Sequence, residues 1–242
     1  MRALVSLALL AFASAAPAMA QLPGPLKSAL ERSDDGSNYL FDITHAASSE
    51  DAETGEVETD TAYARVDFSQ DEFKQITPAH VYDEALPGSS FSALAALESQ
   101  LEDGIWCTRF GENIPDEVEV VSETADTITY GFRPKIPEDA GGPEKKIAKR
   151  MRGEITVSKD DPAVLSYSAS LSKPVTLFVV FKIKKIEQAV TCERAPDGRT
   201  YAARFTSAYD GAGGGQSGGN NGETKVTAIY DETGELISEL QY

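Results

Sequence analysis

The chain has 242 residues, a formal net charge of −17 and 41% hydrophobic residues, which gives it the length for a sizeable core and excludes wholesale disorder. The charge is divided: residues 31–126 hold 24 acidic side chains against four basic ones, whereas residues 127–242 hold 15 against 16. An acidic first half repels a polyanion, and the second half has no basic stripe interleaved with aromatics, so no nucleic-acid partner is expected.

The first elements belong to targeting. MRALVSLALLAFASAAPAMA starts with Arg2, continues through an apolar run at 4–13 broken only by Ser6, and ends in Ala18-Met19-Ala20. That is the order of a secretory signal with a small-residue cleavage pattern. Its apolar core of about ten residues is half the roughly twenty that a membrane crossing needs. Cleavage after Ala20 is expected, leaving 21–242 as a single curved-sheet domain. Gln21 offers no cysteine for a lipid. The form of the signal suits a bacterial periplasm, with release to the medium as the alternative.

Pro25 sits where a short helix starts, with Leu26, Ala29 and Leu30 on its apolar side. Tyr39, Phe41 and Ile43 alternate as in a half-buried strand. Residues 48–58 read as an acidic loop, and 57–68 as a second strand with Ala62, Ala64, Val66 and Phe68 on one face. The clearest helix is 90–101, where Phe91, Leu94, Ala95, Leu97 and Leu101 gather on one side. Ile105-Trp106-Cys107 predicts another strand start. From there the period is mostly two: Val118 and Val120; then Ile128, Tyr130 and Phe132; then 154–158; then Leu165, Tyr167, Ala169 and Leu171. Residues 145–152 predict basic helical turns or a charged edge segment. Strands follow at 175–183, 188–194, 201–209 and 224–230, where Val226, Ala228 and Tyr230 are expected to share a face. The Gly-rich stretch 211–222 reads as a flexible loop.

Strands joined by turns such as Asp160-Asp161-Pro162 and Asp197-Gly198 favour antiparallel pairing. Too few helices intervene for a βαβ series. The predicted fold is mainly β (α+β): one curved antiparallel sheet, or an incomplete β-barrel, with one or two covering helices. A two-sheet sandwich is the structural rival.

Chemistry-bearing patterns are sparse. Cys107 and Cys192 are expected to form a disulfide in an oxidising compartment. His45 and His80 are isolated and the cysteines lack ligand spacing, so no metal or cofactor is expected. The acids near Asp51 and Gly55 do not follow the EF-hand order. Serine hydrolysis lacks its Gly-x-Ser-x-Gly elbow, and no acid pair stands out for glycoside cleavage, so no catalytic residue is named. Lys145, Lys146, Lys149, Arg150 and Arg152 form a basic cluster, with Lys182, Lys184 and Lys185 as a second concentration. These either balance the acidic half or contact anionic lipid or an acidic partner.

The signal, the 90–101 helix and long strands such as EITVSKDDPAVLSYSASLS and DGRTYAARFTSAYD together resemble the periplasmic lipoprotein-carrier superfamily over residues 26–235. The resemblance implies an incomplete barrel closed by helices around an apolar cavity for acyl chains. Phe68, Phe91, Leu94, Leu97, Trp106, Tyr130, Phe132, Tyr167, Leu171, Phe178, Phe205 and Tyr230 are the side chains expected to line that cavity or the core. The implied activity is non-catalytic binding of a lipid or lipoprotein acyl chain. An envelope-associated structural or protein-interaction domain is the alternative, and a hydrolase the third.

Overall fold

A computed structural model describes residues 22–32, 38–50, 54–70, 75–136, 140–177, 181–213 and 216–240. The expected signal at 1–20 and Phe178 lie outside these residues. In chain order the elements are α1 (Gly24–Leu30), β1 (Leu40–Glu50), β2 (Val57–Asp67), β3 (Ile76–Pro78), α2 (Ala79–Tyr82), α3 (Phe91–Leu101) and a 3-10 helix (Cys107–Asn113). There follow β4 (Glu119–Glu123), β5 (Thr127–Phe132), α4 (Gly142–Ala148), β6 (Met151–Ser158), β7 (Val164–Leu171), β8 (Val175–Leu177), β9 (Phe181–Arg194), β10 (Thr200–Gly213), β11 (Gln216–Tyr230) and β12 (Leu236–Glu239).

All twelve strands join one antiparallel sheet, ordered β3-β2-β1-β11-β10-β9-β7-β6-β5-β4, with β12 on β11 and β8 on β9. The sheet is curved and open, neither a closed barrel nor a sandwich. The run from β4 to β11 is a meander, and its last strand docks beside β1. Strands β3 and β4 are left at opposite edges, so the chain between them must travel from one edge to the other. It does so over the apolar face. There α3 packs on β1 and β2, and the 3-10 helix on β7 and β10, while α1 covers β6 and β7.

The covering helices follow from local sequence. Ser90 caps α3 by accepting the Ala93 N–H at 3.2 Å, which satisfies an otherwise orphan donor. Ala93, Leu97 and Leu101, four residues apart, face the sheet. Phe91, expected among them, is 88% exposed. It stands six residues before Leu97, about 240° of helical turn away, which carries it off the buried stripe. Arg109 donates from one guanidinium nitrogen to the Gln100 and Gly104 carbonyls, closing the C-terminal end of α3.

Two large apolar clusters result. One gathers Leu26, Phe110, Tyr130, Ile155, Val157, Tyr167 and Val190 with both cysteines. The other gathers Phe41, Ile43, Val66, Leu97, Ile105, Tyr201 and Ile229. Cys107 and Cys192 are disulfide-bonded, with Cα atoms 6.4 Å apart, pinning the 3-10 helix to β9.

Several expectations are corrected. In the Gly-rich stretch, residues 211–213 and 216–222 are paired strand: Gly211, Ala212 and Gly213 of β10 match Gly218, Ser217 and Gln216 of β11. Ladder hydrogen bonds use backbone only, so neighbours on both sides hold glycines that have no side chain to pack. The acidic loop is shorter than expected, because β1 runs to Glu50 and β2 starts at Val57. Ile105-Trp106-Cys107 gives one isolated bridge, Trp106 to Tyr201, and then the 3-10 helix. Residues 175–177 and 181–183 pair with each other as the antiparallel β8–β9 hairpin instead of forming one strand. Arg152 is on β6, not in basic helical turns, since α4 ends at Ala148. A register shift leaves Thr227 unpaired with β1, so Val226 faces Ile43 and Ile229 faces Phe41, while Tyr230 pairs with Leu40. One extra residue inverts the pleat, and Tyr230 lands on the face opposite Val226.

Candidate functional site

Register places one row of core-face residues side by side across five strands: His45, Thr224, Phe205, Val190 and Tyr167. Two residues further along, the same face carries Ala47, Gly222, Ser207, Gln188 and Ala169. Here the cover thins: Gln188 is exposed, and Ala47, Ser207 and Gly222 are half-buried. Beyond this band Ile186 and Tyr209 join Leu171, Val175, Leu177 and Ile183 in a third apolar cluster, under Ile147 of α4. The helix-covered face thus carries a transverse band of small and polar residues between two apolar rims. Phe205 and Tyr209 mark the rims four residues apart, roughly 13 Å at strand rise. The same stretch of β7, β9, β10 and β11 borders a hollow of about 530 Å³, lined by consecutive residues of both pleat directions: Ala169, Gln188, Ser207 and Gly222 of the band, and their neighbours Ser168, Ser170, Glu187, Ala189, Thr206, Ala208 and Asn221.

One end of the band is polar. Thr224 donates its hydroxyl proton to Gln100 Oε1 at 2.7 Å, so the 2.8 Å contact to His45 Nδ1 has the imidazole as donor. Burial disfavours the charged ring, and in the neutral form the lone pair is on Nε2, a buried atom with no hydrogen-bond partner among the described residues. A Cβ at residue 222 would lie 2.8 Å from Ser207 Oγ and 3.9 Å from His45 Cε1, so glycine keeps this end open.

Burial holds the His45 pKa below its ordinary 6.5. The sign follows: below pH 6.5 the unfolded chain takes up a proton that folded His45 does not, so its contribution to stability falls with pH until the folded pKa is passed. His45→Gln is expected to flatten this decline between about pH 6.5 and pH 5. Urea midpoints of both proteins across that range check it, and parallel slopes would contradict it.

The expected cavity residues separate into groups. Leu97, Tyr130, Phe132 and Tyr167 are buried in the two large clusters, with Tyr167 stacked on Phe110 at 4.6 Å between centroids. Phe68, Leu94, Trp106 and Phe205 are partly buried against those clusters, and Leu171 against the third. Only Tyr167, Leu171 and Phe205 border the band, and Phe91 is in solvent. Tyr230 sits on the other face, donating to Asp42 at 2.8 Å. There Arg65 makes a two-pronged ion pair with Asp42 at 2.7 and 2.8 Å. It lies against the rings of Tyr82 and Tyr230. Burial and the adjacent Asp42 carboxylate push the Tyr82 phenol up to about 12. This assembly ties α2 to the sheet.

Sequence reasoning passed over His45 as isolated and did not single out Gln188, Ser207 or Gly222. The alternation through Phe205, Ser207 and Tyr209 was the available signal. Among the described residues no group of three or more His, Cys, Asp or Glu side chains is placed to hold a metal ion, and no helix is long and apolar enough to cross a membrane. Comparison with known proteins returns no family model, no curated protein and no solved structure that matches the chain.

Proposed function

We propose that this chain is an exported, non-catalytic binding protein that holds an acyl chain of a lipid or lipoprotein along the band at Ala47, Gly222, Ser207, Gln188 and Ala169. The observation that carries the reading is the small-residue floor between two apolar rims on the helix-covered face. It agrees with the role implied by the likeness to periplasmic lipoprotein carriers. Each methylene removed from water contributes about 0.8 kcal/mol, so affinity needs no charged partner. The bare Nε2 of His45 offers an acceptor at the polar end. The deeper part of this face is occupied by the protein's own aromatic side chains, which moves the guest from an enclosed cavity to this open band.

A fluorescent long-chain acyl probe tests the reading. Saturable binding is expected, displaced by phospholipid, and weakened about tenfold or more by Ser207→Trp, the loss expected when two methylene contacts are blocked. Thr191→Trp, at an exposed position of β9 on the opposite pleat direction and outside the hollow, is expected to leave it unchanged. An absence of saturation, or equal affinities in the two variants, would sink the proposal.

One observation favours the protein-interaction reading. Strand β4 is an edge whose five residues are all exposed, Val120 and Val121 among them, and a bare edge accepts an added strand.

A further inference from the structure

The structure assigns a docking surface for an anionic lipid bilayer to the end of the sheet capped by α4 and the β8–β9 hairpin. Three segments far apart in sequence bring their cations together there. Lys145, Lys146, Lys149 and Arg150 come from α4 and the turn after it. The Arg150 carbonyl accepts from the backbone N–H and the hydroxyl of Ser172, at 2.8 and 2.6 Å, which places Lys173 beside it. Lys146 Nζ donates to the Thr176 carbonyl at 3.4 Å, and Thr176 is the register partner of Lys182.

All six of these basic residues are exposed. Among the described residues none has a carboxylate within ion-pair distance, although nearby Lys184 and Lys185 are paired with Asp210 and Glu187. Among the described residues, direct ion pairing with the acidic half therefore does not account for the cluster. In a chain of net charge −17, six cations without a described ion-pair partner at one end make the molecule strongly polarised. An anionic surface attracts that end and repels the rest, which fixes the orientation of contact.

The collar surrounds an apolar cluster whose outer members, Ile147 and Phe181, are only half-buried. Cations around a shallow apolar tip match a bilayer surface, where head groups meet the lysines and the tip enters the interface. An acidic protein would use the cations and leave the tip unused. The inference is independent of acyl binding in the band.

The test is sedimentation of the purified protein with phosphatidylcholine vesicles, with and without phosphatidylglycerol. Binding is expected only to the anionic vesicles and is expected to fall steeply with added salt. Each surface-bound lysine is worth about fivefold in partitioning, so Lys145→Gln, Lys149→Gln and Lys182→Gln together are expected to lower it about a hundredfold. The matched set at the far end of the strands, Lys27→Gln, Lys159→Gln and Arg194→Gln, is expected to change it less than about fivefold. Thermal melts confirm that both sets fold. Equal partitioning onto neutral and anionic vesicles, equal effects of the two sets, or saturable polyglutamate binding without vesicle binding would each overturn the assignment. Because the acyl-probe titration is made without vesicles, its outcome is separate from this one.

Discussion

Replacing Cys107 and Cys192 together with alanine is expected to lower the unfolding free energy by about 4 kcal/mol. The bridge joins residues 85 apart in sequence, so in the chain-entropy description it removes a large set of conformations from the unfolded state. It also has a native-state role. Cys107 is the first residue of the 3-10 helix, and Cys192 lies on β9 between strands β7 and β10. Both are buried in the cluster that includes Leu26 of α1. Loss of the bridge therefore loosens the helical cover and the sheet together. At a denaturant dependence of about 2 kcal/mol per molar urea, the midpoint should fall by roughly 2 M. A midpoint within experimental scatter of the parent protein would show that the covalent link adds nothing to packing.

Strand alternation was legible where one face is core and the other is not. Ile155 and Val157, Tyr167 and Ala169, and Tyr201 and Ala203 announce β6, β7 and β10 because the pleat sends alternate residues to opposite faces. The helix over 90–101 was legible from its apolar spacing, and the disulfide from there being two cysteines in the chain. What escaped depends on neighbours. Gly211 to Gly213 carry no strand signal of their own, and their conformation is imposed by β9 and β11 on either side. Thr227 gives no sign that it slips out of register, yet that slip decides which way Tyr230 points. Ile105, Trp106 and Cys107 are apolar enough for a strand, but the chain there crosses the face of the sheet and finds only one pairing partner, Tyr201.

The candidate band illustrates the same limit more sharply. Ala47 and Gly222 come from strands at opposite ends of the chain, and Gln188 and Ser207 from two others. Each is an ordinary strand residue by itself. Only the register of β1, β11, β10 and β9 sets them in one row, and no periodicity within a single segment encodes it. His45 is similar: its neutral tautomer and orphaned Nε2 follow from a chain through Thr224 and Gln100, residues 179 and 55 positions away. Among the expected aromatic residues Tyr130, Phe132 and Tyr167 are buried whereas Phe91 is in solvent, and hydrophobicity does not distinguish a filled core from a lined cavity.

Phe41→Ala is expected to cost about 4 kcal/mol, near the upper range for a buried aromatic, because Phe41 is the centre of the second cluster. Its ring is fully buried. It meets Tyr39, Phe68, Trp106 and Tyr201 at centroid separations of 6.4, 6.3, 6.0 and 5.6 Å. Arg199 lies 3.8 Å over the Trp106 ring and is itself held by Asp197 at 2.7 Å, so the surrounding groups have little freedom to collapse into the vacated space. Phe41→Leu keeps most of the volume and should cost less than about 2 kcal/mol. The comparison with the cysteine variant also tests how the sheet holds together. The two clusters share Ala202 as a common neighbour, and Trp106, in contact with Phe41, adjoins Cys107 of the bridge, so the two losses are expected to couple. The triple variant should therefore unfold in a single urea transition, displaced by a loss that departs from the sum of the two by about 0.5 kcal/mol or more. Two resolved transitions, one moved by each change, would mean instead that the β4–β9 half and the β1–β3 half unfold as separate units despite the continuous sheet that joins them.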